Sequence, residues 1–194
     1  YYEKHGTPLR ARMFAAAGTL NKWGSRFAPA ANFTMRLGPV KWALDRFVGI
    51  DARRDLPPFA SPDFATRFRR SHDRAGGRSG ANGKPGANAR PPVVLFNDCF
   101  TNYNYPQVGE AATELLERAG YEVLLADTRC CGRPMISKGL IGDARKVAEH
   151  NVRTLAPYAG QGIPVLGCEP SCLLTMRDDY LDLMLGDSAK TLAG

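Results

Sequence analysis

Five cysteines carry the reactive chemistry of this chain: Cys99, the adjacent pair Cys130-Cys131 followed by Gly132, and Cys168 with Cys172. The first 98 residues contain none. Thirty residues separate Cys99 from Cys130, thirty-six separate Cys131 from Cys168, and three lie between Cys168 and Cys172. Thiolates are soft donors that select iron–sulfur clusters or zinc over hard cations, so the set reads as ligands for a thiophilic metal centre if the fold gathers them. Zinc also accepts four thiolates, but its usual knuckles use short Cys-x2-Cys pairs, which this sequence lacks. A thiol–disulfide catalyst is a third reading, because a vicinal pair near a helix start can have a lowered thiol pKa. An odd number of cysteines that includes a vicinal pair does not suit a secreted disulfide framework; a reducing cytoplasm suits it better.

Each cysteine cluster follows a short apolar run. Val93-Val94-Leu95-Phe96 precedes Cys99, Tyr121-Glu122-Val123-Leu124-Leu125 precedes Cys130, and Ile163-Pro164-Val165-Leu166 precedes Cys168. Such runs have the length and composition of buried parallel strands. Between the first two, Val108, Ala111, Ala112, Leu115, Leu116 and Ala119 recur at helical spacing from Pro106 to a stop at Gly120. Between the second and third, Ile141, Ala144, Val147, Ala148, Val152 and Leu155 repeat the pattern ahead of Pro157 and Gly160. A last helix is expected from about Ser171, with Leu173, Leu174, Met176, Tyr180, Leu181 and Met184 as its apolar residues. Strand–helix alternation implies an α/β fold with a parallel sheet, and such sheets gather ligands at the carboxyl ends of their strands. All five cysteines fall there. Residues distant in sequence are therefore expected to become neighbours, with Cys99, Cys130, Cys131 and Cys172 on one sheet edge.

The rest of the chain is built differently. Residues 7–28 read as helical through Leu9, Met13, Phe14, Ala17, Leu20, Trp23 and Phe27, and a second helix runs from Pro39 to Gly49. Leu56-Pro57-Pro58-Phe59 and Ser61-Pro62 force extended backbone that lies over another surface. Residues 71–91 are glycine-rich without a hydrophobic period, the pattern of a flexible linker. Residues 1–90 hold 17 Lys and Arg against 6 Asp and Glu, whereas residues 91–194 hold 9 against 13. No nucleic-acid motif accompanies the scattered arginines, so the basic half reads as a solvated or partner-docking face, with no nucleic acid as partner. No apolar run approaches the length needed to cross a bilayer. The sequence starts at Tyr1-Tyr2-Glu3 and reads as an excerpt of a longer protein. The aromatics of residues 1–70 (Phe14, Trp23, Phe27, Trp42, Phe47, Phe59 and Phe64) are accordingly expected to be underpacked, their partners lying elsewhere in the parent.

The arrangement Cys99…Cys130-Cys131-Gly132…Cys168-Glu-Pro-Ser-Cys172 resembles the cysteine-rich CCG domain found in heterodisulfide reductase and in glycolate oxidase-type iron–sulfur proteins. Phe96-Asn97-Asp98-Cys99-Phe100-Thr101 and Glu169-Pro170-Ser171-Cys172-Leu173-Leu174 are similar to its flavin-linked branch, and Gly49-Ile50-Asp51 with Leu56-Pro57-Pro58-Phe59 resembles the connector in such fusions. The resemblance implies a three-layer, parallel-sheet βαβαβα CCG domain over residues 92–194, the first of two in the parent, after a linker at 71–91 and a helical, Pro-rich, basic connector at 1–70. It implies an iron–sulfur cluster of the 4Fe-4S class, reported as non-cubane in the reductase branch, held by Cys99, Cys130, Cys131 and Cys172. The reductase branch has two residues between its last cysteines and this chain has three, so Cys168 is either a fifth ligand or a spare. FAD, a ferredoxin-like module and the second CCG unit would belong to absent parts of the parent, with a membrane or quinone-linked acceptor as a further partner. The implied role is electron transfer in a flavin-dependent oxidoreductase of a glycolate- or D-lactate-like 2-hydroxy acid, in the cytoplasm or at the inner face of its membrane. A zinc-stabilised interaction scaffold and a thiol–disulfide redox domain stand as the alternatives.

Other candidate residues carry weaker signals. His5, His72 and His150 show no ligand spacing, and His150 is expected in solvent. Trp23 and Trp42 are expected to serve packing, against parts of the parent chain, rather than to bind a cofactor. Asp127 either tunes the centre through its ligands or caps a turn. The start of the last helix is expected to favour Cys172 as a ligand through free backbone N–H groups, a support that Cys168, ahead of Pro170, does not receive.

Overall fold

The computed structural model describes residues 5–74, 90–183 and 185–194. Helices α1 (Leu9–Ala15), α2 (Ala17–Arg26), α3 (Ala28–Met35) and α4 (Gly38–Ala43) come first, and α4 runs on into a π-helical turn at Leu44–Val48. An extended stretch leads to α5 (Phe64–Arg74). Then follow β1 (Pro92–Phe96), α6 (Cys99–Tyr103), α7 (Pro106–Arg118), β2 (Glu122–Leu124), α8 (Arg133–Ile136), α9 (Ile141–Ala159) and β3 (Val165–Gly167). The chain closes with α10 (Pro170–Leu174), a π-helical turn at Thr175–Asp179, α11 (Tyr180–Asp182) and α12 (Asp187–Ala193).

The three strands form one parallel sheet in the order β2-β1-β3. Val93 pairs with Val123 and Leu95 with Leu166, while Val94 lies between Leu124 and Val165. β1 is central, and Val93 through Phe96 are buried. Its alternation divides them between two clusters. Val94 and Phe96 join Ala148, Val152 and Leu155 of α9 with Met176 and Tyr180, whereas Val93 and Leu95 join Val123 with Phe64 and Phe68 of α5. The phenylalanine rings meet edge to face at 5.9 Å, and the Phe64 ring sits where Gly109 of α7 has no side chain.

Phe64 therefore departs from expectation. It belongs to the core under β1 rather than to an underpacked connector, because α5 is the element that covers this side of the central strand. The expectation for the outer helices is met: Trp23, Phe27, Trp42 and Phe47 are each more than half exposed. Trp23 and Trp42 do not pack into a core. Trp23 stacks on Phe27 and Trp42 meets Phe47 edge-on, both at 6.2 Å. Among the described residues no helix is long and apolar enough to cross a membrane.

The Pro-rich stretch is a strap between the two halves. Asn32 and Phe59 exchange two hydrogen bonds of 2.8 Å, the Ala60 N–H donates to the Tyr103 carbonyl at 2.7 Å, and Asn104 Nδ2 donates to the Pro58 carbonyl at 3.1 Å. Two boundaries differ from those read in the sequence. α5 continues through Arg74, into the span assigned to the linker, while residues 75–89 lie outside the described residues, as does Met184. α9 runs past Pro157 to Ala159. A proline this close to a helix end removes a single backbone donor and leaves the following residues free to finish the turn.

The division of β1 between two clusters gives the first prediction. Phe64→Ala lowers unfolding free energy by about 3–5 kcal/mol, as a large cavity under a central strand does. Trp23→Ala, at a residue 57% exposed, lowers it by less than about 1 kcal/mol. Urea unfolding followed by circular dichroism measures both, and equal losses contradict the assignment.

Candidate metal centre

Each cysteine owes its position to a neighbour that fixes the backbone around it. Asp98, at the end of β1, is the N-cap of α6: its carboxylate accepts from the N–H groups of Phe100 and Thr101 at 2.9 and 3.0 Å and from the Thr101 hydroxyl. That cap starts a helix at Cys99 itself. Asn102, on the same short helix, accepts from the Ala65 N–H at 2.9 Å and ties α6 to the start of α5.

The Cys130-Cys131 loop hangs on one buried amide. Asn151 of α9 has no exposed surface; its Oδ1 accepts from the Arg129 N–H at 2.8 Å, and its Nδ2 faces the carbonyls of Cys130 and Arg129 at 3.1 and 3.3 Å. Nδ2 also lies 3.0 Å from the Tyr180 hydroxyl, which donates to the Cys131 carbonyl at 2.9 Å. Gly132 then turns the chain at φ 86°, a left-handed conformation that favours glycine, with its α-carbon against Val147. Cys131 is buried as a result; Cys130 is partly exposed.

Cys172 stands on the first turn of α10, with its Sγ 3.0 Å from that of Cys131. The N–H groups at this helix start are not free, contrary to expectation. The Glu169 carboxylate accepts from the Ser171 N–H at 3.2 Å and its hydroxyl at 2.7 Å, and the Glu169 carbonyl accepts from the Cys172 N–H at 3.0 Å. Contact with Cys131, rather than a helix terminus, places Cys172. Cys168 lies elsewhere: it packs against the Phe64–Phe68–Val93–Leu95–Val123 cluster, whereas Cys130, Cys131 and Cys172 border the opposite one.

The four remaining thiols are neighbours: Cys131 and Cys172 touch through their sulfurs, Cys130 is adjacent to Cys131 in sequence, and the sulfurs of Cys99 and Cys130 both lie within 4 Å of the Cβ position of Gly18. Hydrogen bonds from Cys131 and Cys99, with a further one from the Gly132 N–H, pull the Cys130 pKa down to about 3 against the opposing effect of burial. Cys99 is pushed up first by its hydrogen bond with Cys130 and then by burial, and Cys131 by its hydrogen bonds with Cys130 and Cys172 and then by burial. The thiolate is the form of cysteine that ligates metals. Cys168 is also pushed up, chiefly by burial. Among the described residues no three His, Cys, Asp or Glu side chains are grouped to chelate a single ion. Four sulfurs strung along a sheet edge suit a multi-atom iron–sulfur group better than one zinc ion, and the soft donor set fits it.

A roof covers these sulfurs that the sequence did not announce. A Cβ built on Gly18 of α2 would lie 3.0 Å from Cys130 Cβ, 3.2 Å from Cys99 Sγ and 3.6 Å from Cys130 Sγ. Phe14 of α1 holds that region to the loop beyond the cysteines, its ring centroid 5.4 Å from Lys138 Nζ and 5.8 Å from the Arg10 guanidinium. A glycine within a helical pattern is the only trace of this in the sequence. His150, partly open to solvent as expected, bonds through Nε2 to the Asp127 carbonyl at 2.8 Å, and His72 bonds to Glu117 at 2.8 Å. Asp127 thus holds α9 to the start of the cysteine loop by its backbone.

Comparison with known proteins gives a consistent picture. Residues 93–177 match the family described as the CCG cysteine-rich domain. The chain is similar to a subunit of the anaerobic glycerol-3-phosphate dehydrogenase of Escherichia coli K12, 32% identical over 189 residues, which cover 96% of the chain and 45% of that protein. It is similar to lactate utilization protein A of an Exiguobacterium species, 36% identical over 89 residues, 45% of the chain and 36% of the relative. D-2-hydroxyglutarate dehydrogenase of Pseudomonas putida is 33% identical over 88 residues, 45% of the chain and 9% of that protein. The chain spans less than half the length of these relatives. No solved structure matches it significantly.

The Asn151 clamp yields the second prediction. Asn151→Leu, similar in size but without hydrogen-bonding groups, orphans the Arg129 N–H and costs about 1–3 kcal/mol. It also speeds maleimide labelling of Cys130 in the metal-free protein. Tyr180→Phe, which removes one hydroxyl, costs about 1 kcal/mol. Urea unfolding and peptide mass spectrometry measure these effects; unchanged stability and labelling in Asn151→Leu contradict the clamp.

Proposed function

Since this chain belongs to the cysteine-rich CCG family through residues 93–177, we propose that it is the iron–sulfur electron-transfer segment of a flavin-linked oxidoreductase. One observation carries the reading: Cys99, Cys130, Cys131 and Cys172 gather at the carboxyl edge of a parallel sheet, with the Cys131 and Cys172 sulfurs 3.0 Å apart and the Cys99 and Cys130 sulfurs 3.2 and 3.6 Å from the same point beside Gly18. These four residues hold the cluster, of the 4Fe-4S class, and Cys168 is a spare that fills the opposite core. A cluster, when bound, accepts and passes on single electrons. The protein's part is to keep the four sulfurs in register, through the Asp98 cap, the Asn151 amide and the Tyr180 hydroxyl, and to limit water around Cys131. In this reading the sheet is the middle of a three-layer βαβαβα unit.

Substrate chemistry lies beyond this segment, on an FAD domain. The names of the relatives refer to glycerol-3-phosphate, lactate and D-2-hydroxyglutarate, each an anionic secondary alcohol. A 2-hydroxy acid of the glycolate or D-lactate kind is the substrate proposed for the whole protein. Its partners are the FAD domain, a ferredoxin-like module, a second CCG unit and a membrane or quinone-linked acceptor at the inner face of the cytoplasmic membrane.

Anaerobic preparation followed by iron, sulfide and zinc analysis tests the proposal. The expected result is a brown protein with iron and sulfide in equal amounts and only traces of zinc. A colourless protein with one tightly held zinc overturns it. Serine is close in size to cysteine but a poor soft-metal ligand. Serine at 99, 130, 131 or 172 is expected to remove most of the iron, and Cys168→Ser to leave most of it. Iron loss in Cys168→Ser as deep as in Cys172→Ser makes Cys168 a ligand and overturns its assignment as a spare.

A further inference from the structure

The N-terminal helices come closer to the sulfurs than a connector needs to. α2 packs on α6, the helix that begins at Cys99, and α1 packs on α8, the helix that follows Cys130-Cys131-Gly132. Gly18 faces the point where those elements meet. A methyl group there would stand 3.2 Å from Cys99 Sγ and 3.0 Å from Cys130 Cβ, closer than side chains ordinarily approach. Nothing in its backbone demands glycine, since its φ is not positive, unlike those of Gly49 and Gly132. A glycine inside a helix weakens it relative to alanine. The helix carries that weakness at the one place where its surface touches two of the four sulfurs.

We propose that α2 is the roof of the metal centre and that Gly18 is a positioning residue whose missing side chain leaves the space a sulfur-ligated group needs between Cys99 and Cys130. The inference rests on the reading of the four cysteines as cluster ligands and extends it to a residue more than eighty positions upstream of the nearest cysteine. The roof is held on two sides independently of any bound group. Phe14 and Lys138 hold α1 to the loop after α8, and the Ser25 hydroxyl donates to the Ala60 carbonyl, joining α2 to the strap that bonds α6 at Tyr103. A roof so fixed cannot move aside for an added side chain without breaking those contacts, so added volume at residue 18 falls into the sulfur site.

The test compares Gly18→Ala and Gly18→Val with Gly142→Ala, a helical glycine of α9 with open space around it. Each chain is prepared anaerobically and reconstituted with ferrous iron and sulfide. Iron, sulfide, the visible spectrum and thermal midpoints are then measured. Gly142→Ala is expected to load like wild type. Gly18→Ala is expected to bind iron roughly tenfold more weakly, as changes just outside a ligand set do, while its metal-free form melts within a few degrees of wild type, since the helix gain from alanine offsets the close contact. Gly18→Val loads almost none, and alanine carries the test if the valine variant fails to fold. Wild-type loading in Gly18→Ala overturns the proposal, as does a loss of iron that merely follows a loss of thermal stability.

If the wild-type chain itself binds no iron or sulfide, the cluster reading fails, and the roof is decided on the metal-free protein. Maleimide labelling of Cys99 and Cys130, read by peptide mass spectrometry against Cys168 as internal reference, is expected to change several-fold in Gly18→Ala because the contact with α2 is altered. Labelling unchanged at all three cysteines overturns the roof as well.

Discussion

The side-chain amide of Asn151 is the contact on which the cysteine loop depends. It is fully buried, and it spends its oxygen and its nitrogen on the backbone of Arg129 and Cys130 and on the Tyr180 hydroxyl. Three stretches that share no regular backbone pairing are thereby held together: the loop after β2, the middle of α9 and the start of α11. A buried amide satisfied on every side specifies one arrangement, because each alternative leaves polar groups without partners in a low-dielectric interior. The loop can then present two adjacent cysteines in different directions, one toward Cys99 and one toward Cys172.

Around that clamp, the two halves of the chain behave as one body. β1 is short, and it needs cover for alternate residues on both sides. α9 and the C-terminal helices supply one cover, while α5, from the basic N-terminal half, supplies the other through Phe64 and Phe68. The strap from Pro57 to Pro62 adds backbone hydrogen bonds to α6, so the element that begins with Cys99 is held from the N-terminal side as well as from the sheet. Charge differs sharply between the halves, and their contact joins the apolar packing of Phe64 and Phe68 and the backbone bonds of the strap to two side-chain pairs, Arg67 with Glu110 and His72 with Glu117.

The parallel sheet, its order of elements and the gathering of cysteines at its carboxyl edge were legible in the sequence because they follow from periodicity. Apolar runs of strand length, apolar residues three and four apart, and cysteines immediately after each run leave few alternatives. The contacts that finish the site were not legible, because single polar or small residues make them. Asn151 sits inside an amphipathic helix with no mark to separate it from a solvent-facing asparagine. Gly18 reads as a minor weakness in a helix. Phe64 reads as one more aromatic in a basic, proline-broken segment, since nothing local says that its partner is a strand some thirty residues later. Cys168, which the sequence left open as a fifth ligand or a spare, packs against the second cluster just past the end of β3, a placement that its spacing could not decide.

The packing of Phe64 and Phe68 against β1 separates the unit that is inherited from the unit that folds. The family match begins at Val93 and ends at Arg177, which leaves out part of the central strand's cover on either side. A fragment cut at those limits keeps four strand-edge sulfurs but loses the two rings beneath Val93 and Leu95 and the Tyr180 hydroxyl that holds the Cys131 carbonyl. Such a fragment would expose aliphatic strand surface, and exposed strands are prone to associate with their own kind. Recombination among multidomain oxidoreductases is thereby constrained: a cysteine cassette moved between proteins must bring its flanking helices, or meet a host that already supplies them.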